Sequence, residues 1–171
     1  MLLVAFFTVI YVVLAVLLST DKSTRVIPSQ IVDIAGQREG TSRIVLWSGR
    51  PVLIYRRTEA DIAALQLDDE RLLDSGSASS RQPSWANNAN RSREPEWFVA
   101  IAVGTDFSCP IRHLPASADI FMDKPWEGGF IDDCRESRYD SAGRVFQGQY
   151  ADENLIVPVY VRKDDVLILG G

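Results

Sequence analysis

The apolar positions fall into two regimes. Leu2 to Leu18 (LLVAFFTVIYVVLAVLL) is an unbroken apolar run, just long enough for a short transmembrane helix and longer than a usual signal-peptide core. No basic segment precedes it and no small-x-small cleavage site follows, so an uncleaved anchor over residues 1–19 is expected, with a polar neck over 20–29. Lys22 and Arg25 follow the run and mildly oppose the positive-inside rule, so charge alone leaves its orientation open. From Gln30 the pattern becomes that of strands: Gln30 to Ala35, then Ser42 to Trp47 and Val52 to Arg56 around the turn Ser48, Gly49, Arg50, Pro51. The β-branched alternation and Gly/Pro punctuation predict a hairpin. Thr58 opens a short amphipathic helix, with Asp61 completing a capping-box variant and Ile62, Leu65 and Leu67 as its apolar positions. Asp74 to Glu96 is rich in Ser, Asn, Arg and Pro with no apolar period, a surface excursion or a long ordered loop. Trp97 to Val103 reads as a buried strand, and Gly128 to Ile131, Arg144 to Gln147, Leu155 to Tyr160 and Val166 to Leu169 as further short ones. The fold class expected is mostly β: antiparallel sheets stacked as a sandwich over 30–171, with one inserted helix and a long loop, preceded by a single N-terminal transmembrane helix.

Composition narrows the function. A chain of 171 residues, 46% hydrophobic and 24% charged, is one globular domain plus an appendage. Its net charge of -5, with no basic stripe, argues against nucleic acid and leaves a protein or a membrane as partner. Cys109 and Cys134 exclude a CxxC motif; two unrelated thiols and one long-range disulfide both stay open. His113 is the one histidine, so no site needing two imidazoles from this chain can form.

The order of segments resembles one family. SGRPVLIYRRTEADIAAL is similar to the hairpin and helix of bacterial Rieske iron-sulfur subunits of quinol:cytochrome c oxidoreductases, and REPEWFVAIAVGT to the strand entering their first cluster box. WEGGFIDDCRESRYDSAGRVFQG is similar to their second box and its following turn, and LIVPVYVRKDDVLILGG to their closing strands. Ser137, Arg138, Tyr139, Asp140, Gly143, Arg144 and Val145 are the most specific part of the match.

The resemblance also shows what is missing from the cluster-box region, about 104–150. A Rieske centre takes two thiolates and two imidazoles, supplied in the family by C-T-H-L-G-C and C-P-C-H-G-S boxes. Here the first box reads Gly104, Thr105, Asp106, Phe107, Ser108, Cys109 and the second Asp132, Asp133, Cys134, Arg135, Glu136, Ser137. Gly104 and Asp132 stand at the ligand cysteines, Asp106 and Arg135 at the ligand histidines. The resemblance therefore implies that no 2Fe-2S cluster or other cofactor is bound. It also implies a disulfide between Cys109 and Cys134, which match the family's disulfide pair, and so an oxidising periplasm. A rescue through Cys109, His113 and Cys134 supplies only one imidazole, and His113 is expected on an exposed loop. Gly148 to Asp152 lack the prolines of the family's cover loop, and Ser137 and Tyr139, which in the family bond the cluster sulfur and a ligand thiolate, are expected to serve turn packing. Asp106, Asp132, Asp133 and Glu136 should converge near the vacated tip. A hard cation such as calcium or magnesium suits such carboxylates, but Arg112 and Arg135 lie among them and a salt-bridge network is expected instead. No Arg pair precedes Leu2, which points to the general secretory route rather than twin-arginine export.

These implications describe a non-catalytic, clusterless accessory or structural subunit of a respiratory cytochrome bc-type complex, or of its supercomplex with a terminal oxidase. It would be single-pass in a bacterial inner membrane, beside cytochrome b and cytochrome c subunits and an authentic Rieske subunit or terminal oxidase. The alternatives are an electron-transfer subunit of ubiquinol:cytochrome c reductase and a periplasmic assembly factor or binding module.

Overall fold

The computed structural model describes residues 2–18, 27–65, 69–118 and 125–170. Helix α1, Leu2–Leu18, has 17 residues, a length of about 25 Å against a hydrocarbon core of about 30 Å. No helix among the described residues is long and apolar enough to cross a membrane. The expected neck lies outside the described residues from 20 to 26, as does Leu67.

Among the described residues nine short strands form three antiparallel three-stranded sheets. The first joins β1 (Gln30–Asp33), β9 (Val166–Leu169) and β8 (Tyr160–Lys163), and the second joins β2 (Thr41–Trp47), β3 (Arg50–Arg56) and β4 (Trp97–Ile101). The third joins β5 (Ile111–Leu114), β6 (Gly129–Asp132) and β7 (Arg138–Asp140). The hairpin turn is tighter than expected: Trp47 pairs directly with Arg50 across Ser48 and Gly49. Both turn residues have left-handed φ, 50° and 78°, the geometry that matches the strand twist in a two-residue loop. Helix α2, Glu59–Ala64, starts at the expected capping box, in which the Thr58 side chain accepts from the Asp61 amide and the Asp61 carboxylate accepts from the Thr58 amide.

The core forms where strands are buried on both faces. Val52, Leu53, Ile54 and Tyr55 of β3 and all five residues of β4 are buried in one cluster that takes in Val32, Tyr160 and Leu167 of the first sheet. On one face Tyr55 and Phe98, paired across β3 and β4, meet Phe130 of β6 at 5.6 Å each. The third sheet is thus stacked on the second through an aromatic contact.

Two strands, β5 and β7, were not expected, and two expected ones differ. Arg144 to Gln147 makes only isolated bridges, Tyr139 to Val145 and Leu72 to Phe146, because the left-handed Gly143 (φ 68°) turns the chain just before it. Leu155 to Val159 runs extended without a ladder, spreading its backbone bonds over Gly143, Ile101, Arg81 and Gly170.

The 74–96 stretch is an ordered loop, and three arginines hold it. Arg57, Arg91 and Arg144 are at most 1% exposed. Arg57 donates to the carbonyls of Ser141, Asn90 and Pro95 and to the Ser92 hydroxyl. Arg91 donates to the carbonyls of Ala142, Gly143 and Leu155 and to the Gln82 side chain. Arg144 bonds Asp140 at 2.7 Å and donates to the Ser75 carbonyl. Burial pushes the Arg57 and Arg91 guanidinium groups down to about 10, with the Asp140 charge opposing in both. A guanidinium has five donors in a planar fork, so each of these side chains can serve several carbonyls at once.

Candidate functional site

Three loops meet at the end of the third sheet. The first, Gly104 to Cys109, is closed by the Gly104 amide donating to the Cys109 carbonyl at 2.8 Å. The second follows β6 and is closed by the Asp132 amide on the Ser137 carbonyl at 3.1 Å. The Asp133 amide donates to the Pro110 carbonyl at 3.0 Å, and the Cys109–Cys134 disulfide joins the first two loops with their Cα atoms 5.9 Å apart. The third loop, after Gln147, rests on the second through the Ala151 amide donating to the Ser137 hydroxyl at 3.2 Å.

Asp132 organises the second loop. It is fully buried, and its carboxylate accepts from the amides of Cys134 (3.0 Å), Arg135 (2.7 Å) and Ser137 (2.8 Å). A buried carboxylate with three amide donors has its charge met by fixed dipoles, and the amides that would otherwise lack acceptors are satisfied. The same carboxylate lies within 4.8 Å of both cysteine sulfurs.

The other expected positions part company. A Cβ placed on Gly104 would sit 3.4 Å from the Asp106 carboxylate, 3.5 Å from the Asp132 Cβ and 3.6 Å from the Tyr139 hydroxyl, so Gly104, Asp106, Asp132 and Tyr139 converge. The Asp106 oxygens are shut off from solvent and accept no hydrogen bond among the described residues. Arg135 instead points outward, with its guanidinium 4.1 Å from the Phe107 ring centre and 4.6 Å from that of Tyr150. Both rings are about two-thirds exposed, at 65% and 68%. The tip therefore ends in an exposed stack with one member from each loop. Neither ring was singled out from the sequence; the apolar position between Asp106 and Ser108 was the available signal.

The expected salt-bridge network reduces to one exposed pair, Arg112 to Asp133 at 2.8 Å. Asp132 is committed to backbone amides and Arg135 to aromatic rings, and neither makes an ion pair among the described residues. His113 is likewise not an exposed loop residue. It lies on β5, half-buried, with its ring 4.5 Å from that of Tyr55 and 5.9 Å from Phe130. Burial pulls its pKa below the ordinary 6.5, and the Asp61 charge opposes.

The retained turn residues are tied to the framework. The Thr105 amide and the Tyr139 hydroxyl are 3.4 Å apart. Burial pushes the Tyr139 phenol up, the Thr105 bonds oppose, and the Asp132 and Asp106 charges reinforce. Asp140 accepts from the amides of Ala142 and Arg144 and pairs with the Arg144 guanidinium. Gly143 is left-handed, and a Cβ there would come within 2.6 Å of the Phe98 ring, so this turn admits only glycine without a shift.

The donor set at the four positions is thus no side chain, two carboxylates and a guanidinium that cannot deprotonate to bind iron. The two sulfurs are joined to each other, and the one imidazole packs between sheets. These residues do not fit a centre of two thiolates and two imidazoles.

No protein-family model matches the chain. A ubiquinol-cytochrome c reductase iron-sulfur subunit of Allochromatium vinosum is 36% identical over 139 residues, which is 81% of this chain and 67% of that protein. The mitochondrial Rieske subunit of the cytochrome b-c1 complex of Zea mays is 35% identical over 154 residues, 90% of this chain and 50% of its own length. The Rieske-1 subunit of Nicotiana tabacum stands at 35% identity, with 52% of its length matched. The chain therefore spans about half the length of these plant relatives. Among solved structures, a chain of a hyperthermophilic respiratory Complex III superposes with a TM-score of 0.50 at 15% identity, over 96% of this chain and 91% of that one, a likeness of fold.

Proposed function

The chain belongs to the Rieske iron-sulfur subunit family of ubiquinol-cytochrome c reductases, and on that premise we propose that it is a clusterless member, an accessory or structural subunit of a respiratory cytochrome bc-type complex that carries no electrons itself. One observation carries this reading: the ligand positions hold Gly104, Asp106, Asp132 and Arg135, with Asp132 saturated by three amides and Arg135 stacked on two rings. The domain then serves by shape and place. Its three-sheet body holds the tip rigidly, and the tip offers Phe107, Arg135 and Tyr150 to the cytochrome b or cytochrome c subunit beside it. Aromatic and arginine side chains are the types that dominate interface energetics.

Helix α1 anchors the chain in the bacterial inner membrane under this reading, since Phe6, Phe7, Tyr11 and Val12 are exposed apolar side chains. The disulfide favours the periplasmic side. A terminal oxidase is a further neighbour within a supercomplex.

The test is copurification and metal analysis on one sample. Mild-detergent extraction should bring the chain down with cytochrome b and cytochrome c subunits, and the separated chain should contain no stoichiometric iron and give no Rieske electron paramagnetic resonance signal. A full signal from the isolated chain overturns the clusterless reading; a chain running alone overturns the subunit reading.

A further inference from the structure

Two adjoining cavities beside the β2–β3 turn make a two-part groove with Arg50, Ile101 and Ile156 as its common wall. One half, of about 350 Å³, is walled by Ile27, Trp47, Pro158 and Val159. The other, of about 290 Å³, is walled by Arg81, Val103, Gly104 and Thr105. The groove is divided in character along its length, apolar at the Ile27 end and polar at the Thr105 end. In a chain of net charge -5, the charged side chains on its wall are both arginines. Arg81 is committed to Glu153 at 2.9 Å. The guanidinium of Arg50, exposed where the left-handed turn Ser48–Gly49 delivers it into β3, makes no hydrogen bond or ion pair among the described residues.

A free guanidinium where an apolar slot meets a polar one selects a ligand with one anionic group on an apolar body. We infer that the groove binds an anionic phospholipid, its phosphate on Arg50 and an acyl chain along Ile27, Trp47 and Val159. The choice of a lipid rests on the proposed anchoring of α1. Ile27 follows Leu18 by nine residues, a span of at most about 30 Å of chain, which keeps the groove within that distance of the end of the anchor.

The full chain in phosphatidylcholine nanodiscs tests this. A minor share of the lipid is replaced either by phosphatidylglycerol with brominated acyl chains or by equally brominated phosphatidylcholine. Bromine quenches an indole in contact with it, and α1 contains no tryptophan, so quenching reports on the folded domain. The brominated phosphatidylglycerol should quench, most of the quenching should vanish in W47F, and R50E should shift the half-effect to at least about tenfold more lipid, as the loss of a charge-assisted pair requires. Equal quenching by both lipids, none by either, or an unchanged R50E overturns the inference. R50E stands on its own if W47F fails to fold, since the Arg50 side chain is exposed at the start of β3 and its replacement should leave the near-ultraviolet circular dichroism unchanged. A chain that does not elute with the discs defeats the anchoring alone. The groove is then read on the free chain with monomeric dihexanoyl phosphatidylglycerol, where a saturable Trp47 emission shift, absent in R50E, supports an anionic amphiphile site. No shift there, glycerol phosphate binding as tightly as the lipid, or an apolar peptide with a free carboxyl terminus binding more tightly overturns it.

Discussion

The body of the domain and its tip solve the same problem, holding long loops in place, by different means. In the body, three buried arginines stitch the 74–96 loop to the 140–144 turn and to Leu155 through many separate bonds to carbonyls. At the tip, one covalent link and one carboxylate do most of the holding. In the body each buried charge serves several acceptors at once and so concentrates much of the holding in single side chains, whereas the tip leaves its outer residues free. Residues of the exposed stack, Phe107, Arg135 and Tyr150, can change without loosening what lies beneath.

The largest test of this contrast is R91A. It removes the donors of four acceptors, three of them buried carbonyls, and unfolding free energy from denaturant titration should drop by about 3–5 kcal/mol. R91K should recover little, because an ammonium cannot span the same acceptors. A loss smaller than that from breaking the disulfide reverses the ranking of body over tip. The double substitution C109S/C134S comes next, at about 3.5 kcal/mol for the 25-residue separation in the chain-entropy model. Its effect on hydrogen exchange should stay within 104–114 and 129–139, and spread into β2–β4 would show the tip to be part of the body. D132N keeps the shape but weakens the acceptor of three amides, and should cost about 1–3 kcal/mol, with faster exchange at Cys134, Arg135 and Ser137.

A smaller test lies in the joint between the two regions, where His113 stacks on Tyr55. The folded pKa of His113 lies below its ordinary 6.5, so the unfolded chain binds the extra proton first. Its contribution to stability is complete above about pH 6.5 and is lost as pH falls from there through the lowered folded value. Asp69 and Asp74, held below 3.8 by bonds to Arg71 and to Ser80 with its neighbours respectively, act only at lower pH. Denaturation midpoints of wild type and H113Q should therefore converge as pH drops from 7 to 5, and a constant gap between them would remove His113 from the joint. The smallest expected effect is that of R135A, within about 1 kcal/mol of wild type, the scale of exposed cation–π contacts. A larger loss would mean that the outer stack also supports the fold.

What could be read from the chain follows the same division. The hairpin and α2 were legible because turn residues and a capping box carry local signals at Ser48–Gly49 and Thr58–Asp61. Strand β5, Ile-Arg-His-Leu, alternates too briefly to register, and β7 has only three residues. The burial of Arg57 and Arg91 was hidden by their chemistry, since arginine in a polar stretch ordinarily means solvent, and the resemblance singled out Arg144 without saying that it is buried on Asp140. At the tip, the resemblance gave the disulfide that the structure contains. What each replacement does is set in three dimensions: nothing in Asp-Asp-Cys-Arg-Glu-Ser says that the first aspartate faces inward to three amides while the arginine turns out to two rings.

The inward carboxylate of Asp132 bears on how such a subunit is made. A loop shaped around a metal cluster must wait for machinery to deliver it. A loop whose amides close on a side chain of its own polypeptide carries its template from the ribosome. Under the proposed clusterless reading the timetable of maturation moves: the tip would need only an oxidant for two thiols, so a chain threaded outward unfolded would take its final shape after translocation, whatever the iron supply of the cell.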